Sequence, residues 1–174
     1  MKNCEYRLIK PAKAIVLGVV AMGWALSVAG IAAAQNTGFG TGALASVTTG
    51  VNNSAFGADA LNQDTTGSSN AAVGAGALEF NTSGSDNTAT GLQALFINST
   101  GSGNTATGLD ALQNNNADDN TATGLQALNN NNSGSSNTAT GQAALFANSS
   151  GSFNTATGAN SLASNQTGGE NTAT

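Results

Sequence analysis

"NTATGLQALFINSTGSG", residues 87–103, is followed at once by another "NTATG" at residues 104–108, and the same phrase returns on schedule through most of the chain. The asparagines that open it are Asn36, Asn53, Asn70, Asn87, Asn104, Asn120, Asn137, Asn154 and Asn171; every step is 17 residues except one of 16, between Asn104 and Asn120. Four residues on stands a glycine, as in Gly91, Gly108, Gly124 and Gly141, and eight residues on a leucine, as in Leu95, Leu112, Leu128 and Leu145. An alanine precedes that leucine in every unit but the last, where Ser161 stands. A second glycine falls fourteen residues in, from Gly50 to Gly168, and only the short unit with "NNNADD" lacks it.

A fixed short period marks a repeat architecture. Seventeen residues are too few for two packed helices, and Gly, Asn, Ser and Thr at this density disfavour helix. They suffice for one coil of a parallel β-solenoid, expected here as two short strands and two turns, so the chain reads as an all-β β-roll of about eight coils. The glycines are expected at turns that need positive φ, and the "N-x-S/T-G" stretches at the second corner. Stacking sets each leucine on the next, and the fixed offset favours the phrase asparagines as a ladder of side-chain amides over the competing reading of asparagine as merely a turn former. At about 4.8 Å per coil the rod is roughly 38 Å long. Within "NTATG" the threonines share one face and the alanine points the other way. Phe39, Phe56 and Val73 take the second threonine's place in the early units, as befits a strand position.

The ends differ from the middle. Lys2, Arg7, Lys10 and Lys13 are the only basic residues, and an apolar run from Ala14 to Ala34 follows them and closes on "AAAQ". That order is the plan of a secretory signal peptide with an A-x-A cleavage site. The expectation is a signal over residues 1–34 and an exported repeat domain over residues 35–174. An uncleaved anchor is the competing reading, since the run is just long enough to span a bilayer. The chain stops at "ENTAT", inside a ninth unit, which reads as a domain truncated at its C-terminus.

Residues 35–174 contain no Lys, Arg, His, Cys, Trp, Tyr, Met or Pro, and eight carboxylates: Asp59, Asp64, Glu79, Asp86, Asp110, Asp118, Asp119 and Glu170. Displacing the counterions of a nucleic acid takes Lys and Arg, so that partner is not expected, nor is an anionic membrane surface. The residues for a histidine base, a cysteine nucleophile or a lysine electrophile are absent, so neither an enzyme nor a cofactor is expected. Asp118 and Asp119 adjoin in "NNNADDN", which reads as a solvated loop with a weak calcium site as its alternative. Asn52, Asn81, Asn98, Asn131, Asn148 and Asn165 fit the glycosylation pattern N-x-S/T, a match that turn chemistry alone would produce.

The repeated "NTATGLQAL" and "NTATGLDAL" resemble the head repeats of YadA-like trimeric autotransporter adhesins, whose phrase is close to "SVAIGxxAxA". Asn87, Thr88, Ala89, Thr90 and Gly91 stand at its S, V, A, I and G, and Ala94 at the following alanine. The resemblance spans residues 36–174. It implies a left-handed parallel β-roll, three copies side by side with the phrase strand facing the trimer interior, and display at the bacterial surface for attachment to host cells, matrix or abiotic surfaces. In that family a heptad stalk and a C-terminal membrane anchor follow the head. Similar arrays also occur in fibre-like proteins that end in a self-cleaving chaperone domain.

A reading from another class is ice binding. Outward threonines at Thr88 and Thr90, Thr105 and Thr107, Thr121 and Thr123, Thr138 and Thr140, and Thr155 and Thr157 would form a flat grid, about 6.7 Å by 4.8 Å, able to order water. The competing reading of these threonines is a half-buried strand position at an interface between chains.

Overall fold

Each phrase supplies one short strand. The computed structural model describes residues 35–174, and the signal expected at residues 1–34 lies outside the described residues. The strands are β1 (Thr37–Phe39), β2 (Ser54–Phe56), β3 (Ala71–Val73), β4 (Thr88–Thr90), β5 (Thr105–Thr107), β6 (Thr121–Thr123), β7 (Thr138–Thr140), β8 (Thr155–Thr157) and β9 (Thr172–Ala173). They form one parallel sheet in chain order. Register is set by the repeat, so that Thr88, Ala89 and Thr90 pair with Thr105, Ala106 and Thr107. The residues between strands close each coil, giving a β-solenoid of about eight turns with no helix among the described residues.

A second strand per coil does not form. Where it was expected, two residues of each coil lie in the left-handed region, at Gln93 (φ 53°) and Leu95 (φ 51°) in the fourth coil, and an extended strand cannot pass through that conformation. That side is a stack of turns, which still bonds coil to coil: the Leu61 N–H donates to the Ala77 carbonyl at 3.0 Å and the Gln63 N–H to that of Glu79 at 2.9 Å.

All eight column leucines share this conformation, with φ between 50° and 54°. A left-handed residue with a side chain costs roughly 1–2 kcal/mol, whereas full burial of a leucine contributes about 1.5–3 kcal/mol. Burial wins by a narrow margin, and the coil-to-coil bond that the N–H of each of these leucines but Leu162 makes adds to it. Leu61, Leu78, Leu95, Leu112, Leu128 and Leu145 are fully buried, while Leu44 and Leu162 are partly so. With the strand alanines and those preceding each leucine they make one continuous core.

The two glycine columns have different causes. Gly91, Gly108, Gly124 and Gly141 have φ of 131° to 137°, as expected, and a Cβ on any of them would also run into the next coil's backbone. The second column, including Gly84 and Gly101, does not take positive φ. It is glycine because a Cβ would overlap the carbonyl oxygen of the coil above and the corner's own Asn side chain.

The short coil drops one residue at this corner. Ala117 then supplies the carbonyl that glycine supplies elsewhere, accepting from Asn104 Nδ2 and Asn115 Nδ2, both at 2.8 Å. The "NNNADDN" segment is therefore not the solvated loop expected: Asn115 and Ala117 are buried and the coil stays in register, though Asp118 and Asp119 are exposed.

Gly108→Ala puts a Cβ 2.5 Å from the Gly124 carbonyl oxygen at a φ of +134°. It is expected to destabilise the chain by about 2–5 kcal/mol, read as a lower urea midpoint followed by circular dichroism. Ser161→Ala works the other way. The Ser161 hydroxyl is buried without a hydrogen-bond partner, so the alanine used by the other coils should stabilise by about 1 kcal/mol in the same titration.

Candidate functional site

Strand alternation sorts the phrase into an inner and an outer face. Ala89, Ala106, Ala122, Ala139 and Ala156 point inward and are fully buried. Thr88, Thr121, Thr138 and Thr155 are exposed with Thr105 half-buried, and the second column, Thr90, Thr107, Thr123, Thr140 and Thr157, is exposed throughout. Parallel register brings them into two rows across five coils. The second row continues into the early coils as Phe39, Phe56 and Val73, with exposures of 70%, 44% and 46%. Just past the glycine turn, Leu92, Leu109 and Leu125 are also exposed. The strand rows are thus uncharged, with the second row apolar in coils one to three and hydroxyl-bearing in coils four to eight, and the exposed leucines stand beyond the turn in coils four to six.

Asparagines fix the entry to that face. The N–H of each phrase asparagine donates to the Oδ1 of the one before it, from Asn87 to Asn70 and from Asn104 to Asn87 at 3.0 Å, from Asn120 to Asn104 at 2.9 Å, and from Asn137 to Asn120 at 3.0 Å. Their Nδ2 groups donate across the coil to corner carbonyls, from Asn87 to Gly101 at 2.8 Å, Asn120 to Gly134 at 2.9 Å and Asn137 to Gly151 at 2.8 Å. The main link of this column is thus backbone to side chain, with amide-to-amide contacts at some rungs such as Asn137 to Asn120 at 3.1 Å.

A continuous amide-to-amide ladder lies in another column. Asn98 Nδ2 donates to Asn81 Oδ1 at 3.1 Å, Asn115 to Asn98 at 2.9 Å, Asn131 to Asn115 at 2.7 Å, Asn148 to Asn131 at 2.9 Å and Asn165 to Asn148 at 2.8 Å. Asn81, Asn98, Asn131 and Asn148, which fit the glycosylation pattern, are fully buried rungs. Asn52 is exposed at a positive-φ turn. The signal that identifies the ladder is offset: these asparagines recur eleven residues after the phrase asparagine, Asn115 among them although it fits no glycosylation pattern.

The carboxylates are scattered over the coils. Asp118 takes a place that serine holds in neighbouring coils: its Oδ1 accepts the Ser102 N–H at 2.8 Å, as Ser102 Oγ accepts the Ser85 N–H at 3.1 Å. Among the described residues no group of three or more acidic, His or Cys side chains could hold a metal ion, and no helix is long and apolar enough to cross a membrane. Among the described residues Asp64 alone is a fully buried acid. Burial raises its pKa from 3.8 to about 6, against the lowering effect of the Gly67 N–H and the Asn81 amide.

No protein-family model, curated protein or solved structure matches the chain.

Cutting one rung tests how much the buried ladder carries. Asn98 accepts from Asn115 and donates to Asn81 and, at 2.8 Å, to the Gly101 carbonyl. Asn98→Ala strands all three and should cost about 2–4 kcal/mol, whereas Asn132→Ala, at an exposed side chain, should stay within about 0.5 kcal/mol in the same denaturation.

Proposed function

We propose that the chain is an exported structural and adhesive rod, the head segment of a bacterial surface trimeric autotransporter adhesin. In this reading three left-handed rolls associate side by side through the phrase strand, and the outer turns and corners meet a host-cell, matrix or abiotic surface. The observation that carries it is the uncharged strand face with the turn beside it, where Phe39, Phe56 and Val73 on the strands and Leu92, Leu109 and Leu125 past the turn lie exposed on a single solenoid. Exposed apolar side chains in rows of this kind are ordinarily covered by a partner, and a stack of similar coils offers an equally regular partner in another copy of itself. The YadA-like phrase and the signal-like N-terminus support the same reading.

A second reading is favoured by one feature, the two in-register rows of outward threonines on coils four to eight, all exposed but the half-buried Thr105. If that face remains open to water, the chain is an ice-binding solenoid.

Solution mass separates the two. The adhesive rod should sediment as three copies, and Val73→Asp, which would bring three unpaired carboxylates together at the axis, should leave a monomer at micromolar concentration. Trimers that attach to no cell, matrix or abiotic surface would count against the adhesive role. A monomeric wild type that shapes ice and shows thermal hysteresis would replace the reading with the second one.

A further inference from the structure

The buried asparagine ladder starts on a residue of a different kind. Each full rung uses Nδ2 twice: Asn81 donates to the rung before it at 3.2 Å and to the Gly84 carbonyl of its own corner at 2.9 Å, and Asn98 repeats the pattern on Asn81 and Gly101. In the second coil the rung is Asp64, fully buried, and in the first coil the column holds Val47, which offers no hydrogen-bonding group. Asp64 Oδ1 accepts from the Gly67 N–H at 3.0 Å and from Asn81 Nδ2, and Oδ2 accepts from Asn53 Nδ2 at 3.1 Å. An ionised carboxylate has no proton to give the Gly67 carbonyl, the contact that the other rungs make within their own corner. Only Asn53 Nδ2 reaches that carbonyl, at 2.8 Å. A protonated Asp64 has the missing donor.

We propose that Asp64 is a proton-operated clasp on the first coils of the solenoid: protonated, it acts as an asparagine-like rung, and ionised, it is an unpaired buried charge that lets those coils open. The groups bonded to it, Asn53, Gly67 and Asn81, are neutral, and Val47 of the preceding coil is apolar. Asp59 and Glu79 occupy other columns, six and nine residues after their phrase asparagines against eleven for Asp64. Glu79 is itself raised by burial and, secondarily, by Asp59.

The direction follows from linkage. The folded carboxyl titrates near 6 and the unfolded one at 3.8, so between those values only the folded chain holds the proton. Stability is full below the lower value and is lost as pH rises through about 6. A separation of about two pH units corresponds to a loss of about 100-fold in the closing equilibrium. Opening is confined to the first coils because their hold is weakest: Leu44 is half-buried, the exposed Gly38 stands where later coils bury alanine, and Val47 adds no rung.

The test is amide hydrogen exchange on the purified chain at pH 4.5 and 7.5, corrected for intrinsic rates. The Leu44 and Leu61 amides, which bond coils one to two and two to three, should lose about 25-fold in protection at the higher pH, the part of the total that remains to be lost above pH 4.5, while the Leu128 amide keeps its own. Asp64→Asn should abolish the loss and leave all three amides protected at both values. Equal losses in wild type and variant would assign the effect to other acids and overturn the proposal. So would no loss in the wild type, or a loss as large at Leu128. A variant that fails to fold would overturn it too, because asparagine holds this column in six other coils.

Discussion

Two stacked backbones at strand spacing leave no room for a side chain where one coil's carbonyl meets the next coil's Cα. Both glycine columns answer to that constraint, since a Cβ at Gly91 or at Gly101 would overlap the backbone of the following coil. In-register stacking also repeats every local conformation, so a strained residue recurs once per coil. The left-handed leucines show how such strain is sustained: the same turn that costs backbone energy buries the core leucine of the coil.

Polar stacking then takes over what a wider core would do elsewhere. The interior holds leucine and alanine along one column set and fully buried asparagine along two others. A primary amide suits such a column because it donates and accepts in one direction, so each rung satisfies the next and no amide in the series is left unpaired. Serine serves similarly at the corner, with the Ser68 N–H donating to Ser85 Oγ at 3.1 Å. Replacements are tolerated where they keep the needed atom, as Asp118 does with its acceptor oxygen and Ala117 with its carbonyl.

Period, parallel register, the inward alanines and the stacked leucines were all legible in the sequence, because each depends on a residue type recurring at a fixed offset. The second strand was misjudged for a physical reason: leucine is an uncommon occupant of the left-handed region, and nothing in "GLQAL" announces that Gln93 and Leu95 both adopt it. The buried ladder was hidden by a coincidence of chemistry. "N-x-S/T-G" reads equally as a turn and as a glycosylation acceptor, and only the inward rotation of Asn81, Asn98, Asn131 and Asn148 removes both as sufficient accounts. The candidate surface was legible as a set of residues, while its uncharged continuity with the exposed leucines after the turn required the fold.

The outer face is free to vary because the constraint acts elsewhere. Column positions at the glycines, leucines and asparagines are fixed by contacts to the coils above and below, whereas the outward residues of each strand point away from the core. Phe39, Phe56 and Val73 can therefore give way to threonine from the fourth coil onward with no change in strand pairing. Stacking contacts set the buried columns, and the outward row can change residue type over the same backbone. A substitution along that row therefore leaves the stacking contacts intact, whereas one in a glycine or leucine column alters the contact with the next coil.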